Sequence, residues 1–300
     1  MIYTLTLNPA VDYHVHLHQF MPGATNRSSY ELIYWGGKGI NVSTILQALE
    51  VPSVALGFVA GFTGEALENA LKARGLCTDF IHLTEGMTRI NVKLKADRES
   101  EINAAGPRIS EYALTQLFAQ LAGLKAGDIL VLAGSVPSSL PRSLYGDIMK
   151  VLDPQVLVVV DAEGDALRSA LVFNPFLIKP NLAELEGFLG HTCSDMSQIV
   201  AGARHLQSLG ARNVLISLGG DGAVLVNEVG DMLSSPAPSG TVLDTVGSGD
   251  SMVAGFLAAW VQNCSYEDAL KHGIVCGSTT AFTTELGDRE WLEMYEKLKK

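Results

Sequence analysis

Segments that predict strands alternate with segments that predict helices along most of the 300 residues, and no other feature constrains the fold as strongly. Short apolar runs indicate buried strands, and amphipathic stretches with helical spacing lie between most of them. Such an alternation is typical of a doubly wound, mostly parallel α/β sheet with helices on both faces. The predicted strands are Ile2–Leu7, Val54–Val59, Ile129–Ala133, Val156–Asp161, Phe176–Ile178 and Val214–Ser217, and the predicted helices include Gly39–Leu49, Gly64–Arg74, Ser110–Leu121 and Ala201–Leu209.

Two regions depart from this alternation and predict a second, smaller sheet. Val11–Leu17 alternates strictly between apolar and polar side chains, and Thr88–Leu94 and Ser100–Asn103 form a pair of short strands around the polar turn KADRES. Such alternation gives a sheet one apolar and one solvated face. We therefore expect a β-sheet lid built from about residues 11–34 and 88–104, within one domain of residues 1–300. A second copy of the chain could cover the apolar face, which would give a homodimer through the lid.

The charge and the cysteine content restrict the classes of partner. The formal net charge is −11, and a field of that sign repels nucleic acid, so no nucleic-acid partner is expected. The four cysteines include no CxxC pair, which disfavours a zinc or redox site. No secretory signal pattern is visible, and the apolar stretch Met252–Val261 is too short to cross a bilayer. We expect a cytoplasmic protein with reduced thiols and no membrane partner.

The stretch DTVGSGDSMVAGF contains a glycine-rich turn that is followed at once by apolar residues at helical spacing. Gly247 and Gly249 can adopt positive φ angles and allow a ligand to approach the backbone closely. The turn therefore leads into a helix N-terminus, where free N–H groups and the helix dipole favour an anion such as a phosphoryl group. Asp250 at this point could accept a proton from an attacking hydroxyl. Alternatively, Asp250 or Ser248 only caps the helix.

A second glycine-rich turn, WGGKGINVS, precedes another helical pattern. Its backbone amides and Lys38 could hold a phosphate group or sugar hydroxyls, and Asn41, one turn into the helix, could reach the same ligand. The alternative is an ordinary glycine-rich loop with a solvated lysine.

Asp12 follows the first predicted strand, where its carboxylate could bind two sugar hydroxyls or simply face solvent. Arg27 and Arg89, with the lysine of the second glycine-rich turn, are the basic residues nearest the predicted lid. A substrate that already carries a phosphate requires such a cluster. His14 and His16 lie on the polar face of one strand, and a solvated face is favoured over a metal site because no third ligand is apparent.

Two further motifs have both a structural and a functional interpretation. In KPNLAELEG, Asn181 and Glu184 have the spacing of a capping box, but Glu184 could also face a Mg²⁺–nucleotide complex, directly or through water. In SLGGDGA, which begins at Ser217, the glycines form either a tight hairpin turn or a bed for the phosphates or ribose of a nucleotide.

Two familiar nucleotide-binding patterns are not present in the sequence. A dinucleotide-binding GxGxxG motif would need Gly or Ala where Met252 stands, which argues against a dinucleotide-dependent oxidoreductase. A GxxxxGK[ST] phosphate loop also fails, because the single GK pair is followed by Gly39 and has Leu32 in place of the first glycine.

The motifs occur in a fixed order, WGGKGINVS, GSVP, KPNLAELE, SLGGDGA and DTVGSGDSMVAGF, and together they resemble the PfkB family of ribokinase-like sugar kinases over essentially the whole chain. The resemblance implies a ribokinase-like fold with a β-lid that often pairs in a dimer, and ATP-dependent phosphorylation of a sugar phosphate with Mg²⁺. The segments TLTLNPAVD and TRINVKL are most similar to members that convert D-fructose 1-phosphate to D-fructose 1,6-bisphosphate. Tagatose 6-phosphate is the alternative substrate. A binding-only relative that senses sugar phosphates is disfavoured because the aspartate of the last motif is intact.

The resemblance also implies a role for each matching residue. Asp250 would be the base that accepts the proton of the attacking hydroxyl. The anion hole around the transferring phosphoryl group would consist of Gly247, Ser248 and Gly249. The sugar phosphate would contact Asp12, Gly37, Lys38, Asn41, Arg27, Arg89 and Asn103, of which Asn103 lies in a segment, EINAAGPRIS, that departs from the family pattern. The nucleotide would contact Lys179, Asn181, Glu184, Ser217, Gly219, Gly222 and Gly277, with Mg²⁺ at Glu184 and the adenine near Gly273–Ser278.

Overall fold

The computed structural model describes residues 1–299, which contain thirteen strands and ten α-helices. The strands are β1 (Ile2–Thr6), β2 (Ala10–His16), β3 (Tyr30–Gly36), β4 (Ser53–Ala60), β5 (Cys77–Leu83), β6 (Arg89–Lys95), β7 (Ser100–Ile102), β8 (Ile129–Ala133), β9 (Leu157–Asp161), β10 (Leu177–Ile178), β11 (Asn213–Ser217), β12 (Ala223–Val226) and β13 (Met232–Ser235). The helices are α1 (Lys38–Ala48), α2 (Gly61–Ala73), α3 (Glu111–Leu121), α4 (Leu144–Val151), α5 (Gly164–Leu171), α6 (Leu182–Leu189), α7 (Met196–Ser208), α8 (Ser248–Asn263), α9 (Tyr266–Ala281) and α10 (Arg289–Leu298).

Nine strands form the larger sheet, in the order β13-β12-β11-β10-β9-β8-β1-β4-β5. All neighbouring pairs are parallel except those of β12, which runs antiparallel to both β11 and β13. The antiparallel pair at one edge agrees with the hairpin expected after SLGGDGA. The α/β fold predicted from the alternation of strands and helices is confirmed.

The apolar strands are buried on both sides because helices cover both faces of this sheet. In β8, Ile129 and Val131 contact the face covered by α1, α8, α9 and α10, whereas Leu130 and Leu132 contact the face covered by α3 to α7. A strand that is buried on both faces is expected to be continuously apolar, as β8 is in the sequence.

Some element boundaries differ from the predicted ones for local reasons. The helix predicted from Ala201 begins at Met196, because the Asp195 side chain accepts a hydrogen bond from the Gln198 amide at 2.9 Å and so caps an earlier turn. Strand β5 was missed because it is an edge strand whose sequence, CTDFIHL, mixes exposed polar residues with its buried centre.

The remaining four strands form a separate sheet in the order β3-β2-β6-β7. Strand register places Val11, Tyr13 and Ile33 on one face and Asp12 and His14 on the opposite face. The first of these faces packs against α2 through Trp35 near its base, and Ile33 farther out is exposed. The polar face is directed toward the carboxyl ends of the parallel strands, where ligands bind in open α/β sheets.

Candidate active site

The N-terminus of α8 positions Asp250. Gly247 is the N-cap residue, has a φ of 80°, and makes no side-chain capping contact. Asp250 lies within the first turn and is only 5% exposed. Its Oδ2 accepts a hydrogen bond from Asn41 Nδ2 at 2.8 Å. The capping alternative for Asp250 and Ser248 therefore does not hold: a glycine starts the helix, and the aspartate side chain contacts a different helix.

The surroundings of Asp250 make its carboxyl group a weak acid. Burial raises its pKa, and the nearby negative charge of Asp161 raises it further. The hydrogen bond from Asn41 and the positive charges of Lys38 and Lys179 act in the opposite direction, and the resulting pKa is about 7. A carboxylate with a pKa near the working pH is well suited to take a proton from an alcohol and to release it afterwards.

The second glycine-rich turn, which contains Gly37, brings α1 against α8. Gly37 is the N-cap of α1 and has a φ of 137°, and a Cβ at this position would lie 2.6 Å from Cγ2 of Thr6. Only glycine fits such a close approach at this backbone angle. The helix then starts at Lys38 and carries Asn41, one turn later, to Asp250.

Two lysines and a carboxylate meet near the N-terminus of α8. Asp161 Oδ1 lies 3.4 Å from Lys38 Nζ and 3.5 Å from Lys179 Nζ. Burial lowers the pKa of Lys38, but the charges of Asp161, Asp250 and Glu184 outweigh it and raise that pKa overall. Asp161 was not among the predicted site residues. The available signal was an aspartate at the carboxyl end of a buried strand, LVVVD, the edge at which such sheets bind ligands.

The Asn181–Glu184 pair forms the capping box that its spacing predicts. Asn181 Oδ1 accepts a hydrogen bond from the Glu184 amide at 2.8 Å, and Glu184 Oε2 accepts one from the Asn181 amide at 2.9 Å. A β-bridge places Asn181 beside Ser217. Both residues of the box nevertheless line the cleft, so the structural interpretation is confirmed and the functional one is compatible with it.

The lid contributes a polar surface from β2 and β6. Asp12 Oδ1 accepts a hydrogen bond from Asn91 Nδ2 at 2.8 Å, and Arg89 Nε donates one to the carbonyl oxygen of Asn8 at 3.2 Å. Asn103 Nδ2 donates to Glu101 Oε2 at 3.3 Å. These bonds hold the predicted sugar-binding side chains at the edge of the cleft.

Two adjoining cavities form a cleft at the carboxyl edge of the large sheet. One, of about 980 Å³, lies between this sheet and the lid, and the other, of about 900 Å³, is lined mostly by the segments after β8 and β9 and by α5 and α6. They share Gly37, Lys38, Arg89, Asn181 and Glu184. A ligand pocket for one small molecule commonly measures about 300–1,000 Å³, so the cleft has room for two substrates side by side. The larger cavity is lined by the predicted residues Asp12, Gly37, Lys38, Asn41, Arg89, Asn103, Lys179, Asn181, Glu184, Ser217, Gly219, Gly222, Gly247, Ser248, Gly249, Asp250 and Gly277.

Arg27 is the predicted site residue that the structure does not bring to the cleft. It is exposed in the loop between β2 and β3, beyond the outermost register pair of His16 and Tyr30. The hairpin carries it away from the base of the lid, where Asp12 lies. Proximity in the sequence to the lid strands was therefore an insufficient criterion.

Five polar cleft residues that sequence reasoning did not assign to the substrate site lie on the polar face of the lid: His14, Asn91, Lys93, Lys95 and Glu101. Alternation with apolar neighbours was the signal that could have found the two lysines, since Asn91, Lys93 and Lys95 must share one face of β6. Within residues 1–299, no group of three or more His, Cys, Asp or Glu side chains is arranged to hold a metal ion. No helix in the same range has the length and apolar character needed to cross a membrane.

The family described as pfkB family carbohydrate kinase matches residues 5–291. The chain is 46% identical over 295 residues to a 1-phosphofructokinase of Bacillus subtilis, covering 98% of this chain and 96% of that protein. It is 36% identical over 290 residues to a D-tagatose-1-phosphate kinase of Bacillus licheniformis, covering 96% and 95% of the two chains.

Solved structures with the same architecture include phosphofructokinase-2 from Escherichia coli in complex with fructose-6-phosphate. That structure has a TM-score of 0.90 and 26% identity, covering 100% of this chain and 99% of that one. The same E. coli protein has also been solved in a tetrameric inhibited form. The ribokinase of Arabidopsis thaliana, at 21% identity, has a TM-score of 0.81 over 100% of this chain and 98% of its own, and it shares the fold.

The match over almost the entire chain agrees with the order of motifs in the sequence and with the ribokinase-like architecture. A buried aspartate beside a glycine-rich helix N-terminus, at a cleft with room for two ligands, is compatible with transfer of a phosphoryl group between two small molecules. The chain belongs to the pfkB family of carbohydrate kinases.

Proposed function

We propose that the protein transfers the γ-phosphoryl group of ATP to the 6-hydroxyl of D-fructose 1-phosphate and so forms D-fructose 1,6-bisphosphate. The observation that carries the proposal is the position of Asp250, buried in the first turn of a helix with a glycine-rich N-terminus, at a cleft with room for two ligands. The names of the relatives support the choice of a ketohexose 1-phosphate.

In this mechanism the sugar hydroxyl is the nucleophile. Its proton passes to the Asp250 carboxylate as its oxygen bonds to the γ-phosphorus, and the bond from that phosphorus to the bridging oxygen of ADP breaks. The amides at Gly247–Gly249 stabilise the charge on the transferring group. Closure of the lid excludes water, which would otherwise compete as acceptor.

The proposed binding roles follow the lining of the cleft. The sugar phosphate binds on the lid side through Asp12, Gly37, Lys38, Asn41, Arg89 and Asn103. The nucleotide binds on the other side through Lys179, Asn181, Glu184, Ser217, Gly219, Gly222 and Gly277. Ile274, Gly277 and Ser278 also line the larger cavity, and we place the adenine beside them.

Glu184 is the residue proposed to hold Mg²⁺ through water. One oxygen of its carboxylate is engaged in the capping box, which favours indirect over tight binding. Mg²⁺ usually keeps several waters and binds one or two carboxylates together with substrate phosphates, so this donor set fits the ion. When bound, Mg²⁺ would neutralise charge on the nucleotide phosphates.

A panel of sugar phosphates tests the proposed substrate. We expect kcat/KM with ATP to be highest for fructose 1-phosphate, lower for tagatose 1-phosphate, and lower still for tagatose 6-phosphate and fructose 6-phosphate. The assay couples ADP release to NADH oxidation. The tagatose kinases among the reported relatives carry the 1-phosphate in their name, so tagatose 1-phosphate is the closer competitor. A maximum with either 6-phosphate would refute the proposed position of the existing phosphate.

The proposal includes a cytoplasmic location. It also includes a homodimer in which a second copy of the chain covers the apolar face of the lid. On that face Ile33 and Ile102 are 50% and 62% exposed, although they continue the row that is buried at Val11. Exposed apolar rows on a sheet commonly mark a surface for another chain. A second copy of the same sheet offers a matching apolar face.

Sedimentation velocity checks this arrangement with one variant and one control. We expect Ile33→Glu to convert a dimer into a monomer, because it would bury a carboxylate in the interface. Val229→Glu, which changes a side chain that is 73% exposed in the turn between β12 and β13, should leave the dimer unchanged. A wild-type monomer, or equal behaviour of the two variants, would exclude the lid as the interface.

A further inference from the structure

Asp161 is a buried carboxylate without an assigned part in the proposed reaction. It ends β9 at the carboxyl edge of the large sheet and is only 2% exposed. A buried charge is costly unless other charges or hydrogen bonds compensate it. Its partners therefore indicate what it does.

Both partners of Asp161 are lysines. Its Oδ1 lies 3.4 Å from Lys38 Nζ and 3.5 Å from Lys179 Nζ, whereas its Oδ2 has no hydrogen-bond partner among residues 1–299. One oxygen thus faces two ammonium groups that come from separate elements, the start of α1 and the segment after β10. The carboxylate fixes the positions of these groups relative to each other.

The two lysines reach different parts of the cleft. Lys38 lies where the two cavities adjoin and shares this position with Arg89. Lys179 is 5% exposed, and its Nζ would lie 2.9 Å from a Cβ built on Gly249 in the anion hole. One ammonium group is therefore close to the proposed sugar phosphate and the other to the site of the transferring group.

We propose that Asp161 is a positioning residue that holds Lys38 beside the sugar phosphate and Lys179 against the anion hole, so that the two cations lie on either side of the path of the transferring phosphoryl group. This inference rests on the kinase activity proposed above. In this proposal Lys179 contacts the transferring phosphoryl group itself. Asp161 contributes indirectly, by holding the two lysines in position.

Asp161 also balances the charges around the proposed base. Asp250 faces Lys38 and Asn41 of α1, Lys179 after β10 and Asp161 of β9, while Glu184 of α6, Asp12 of β2 and Arg89 of β6 line the same cavity. The negative charge of Asp161 raises the pKa of Asp250, and the lysines lower it. Without Asp161, the lysines would act unopposed, and Asp250 would lose its proton at a lower pH and be a weaker base.

The test compares Asp161→Asn with Asp79→Asn, which makes the same charge change at an exposed position of β5. In the wild type, kcat should rise with pH through about 7, because Asp250 must be deprotonated to act as base. Asp161→Asn should lower kcat by about 10-fold or more, raise KM for fructose 1-phosphate more than KM for ATP, and move the acid limb of the kcat profile to lower pH. Asp79→Asn should leave kcat, both KM values and the acid limb of the kcat profile unchanged.

Two further variants keep the test decisive if Asp161→Asn does not fold, and they distinguish positioning of the lysines from another role of Asp161. Asp161→Glu keeps the charge but displaces it, so it should lower kcat and leave the acid limb near its wild-type pH. Lys179→Met should cost less in the Asp161→Asn background than in the wild type, because the two residues act together.

An unmoved acid limb in Asp161→Asn would overturn the inference, as would additive effects in the double variant. An effect confined to the Mg²⁺ concentration for half-maximal activity would also overturn it, since Asp161 would then serve the metal. If the wild type phosphorylates none of the sugar phosphates, the proposed function itself has failed. That outcome is distinguishable from an active wild type with an unaffected Asp161→Asn variant.

Discussion

Replacement of Asp250 with Asn is expected to lower kcat by about 100-fold or more, with little change in ATP affinity. The asparagine has nearly the same shape, and its side-chain oxygen can still accept the hydrogen bond that Asn41 now donates to Asp250. It cannot accept the proton of the sugar hydroxyl. The helix N-terminus that is proposed to hold the transferring group is unchanged, so ATP should bind as before. Turnover is measured by ADP release, and ATP affinity by titration calorimetry.

Asp79→Asn serves as the control for Asp250→Asn, because it also removes one carboxylate charge but at an exposed site on an edge strand. Circular dichroism and thermal unfolding establish that both variants are folded. A kcat for Asp250→Asn within about 2-fold of the wild type would show that another group accepts the proton.

Truncation of Lys38 is expected to have the second-largest effect, through substrate binding. Lys38→Ala should raise KM for fructose 1-phosphate by about 10-fold or more and KM for ATP much less, because a charge-assisted contact to the existing phosphate is lost. The side chain lies where the two cavities adjoin, beside Arg89. The loss also leaves the buried Asp161 with Lys179 as its remaining ion-pair partner. Steady-state kinetics with each substrate varied in turn give both constants.

Lys150→Ala is the matched control, since Lys150 is exposed in the last turn of α4 and lines neither cavity. It should leave both KM values unchanged. An equal increase in the two KM values for Lys38→Ala would argue that the lysine binds a part of the cleft common to both substrates, rather than the phosphate of the sugar.

The parallel sheet could be predicted from the sequence because strands that are buried on both faces appear as continuous apolar runs, such as ILVLA at β8. The lid was predictable for the opposite reason: one face of it is polar, and a period of two is visible in a single strand such as β2. Edge strand β5 left a weak signal, because its exposed positions are polar without a regular period. Local patterns thus identify strands only where burial is uniform or strictly alternating.

The sequence by itself determined which chemical groups are available: two glycine-rich helix starts, Asp250, Lys38 and the Asn181–Glu184 capping box. Each of these is a local pattern of a few residues, and local hydrogen bonding decides its form. Only the tertiary structure decided that Asn41 contacts Asp250, that Arg27 lies outside the cleft, and that Asp161 joins the lysines after β10 and at the start of α1. These relations connect residues that are distant in the chain, and the meeting of strand ends at one edge of the sheet brings them together.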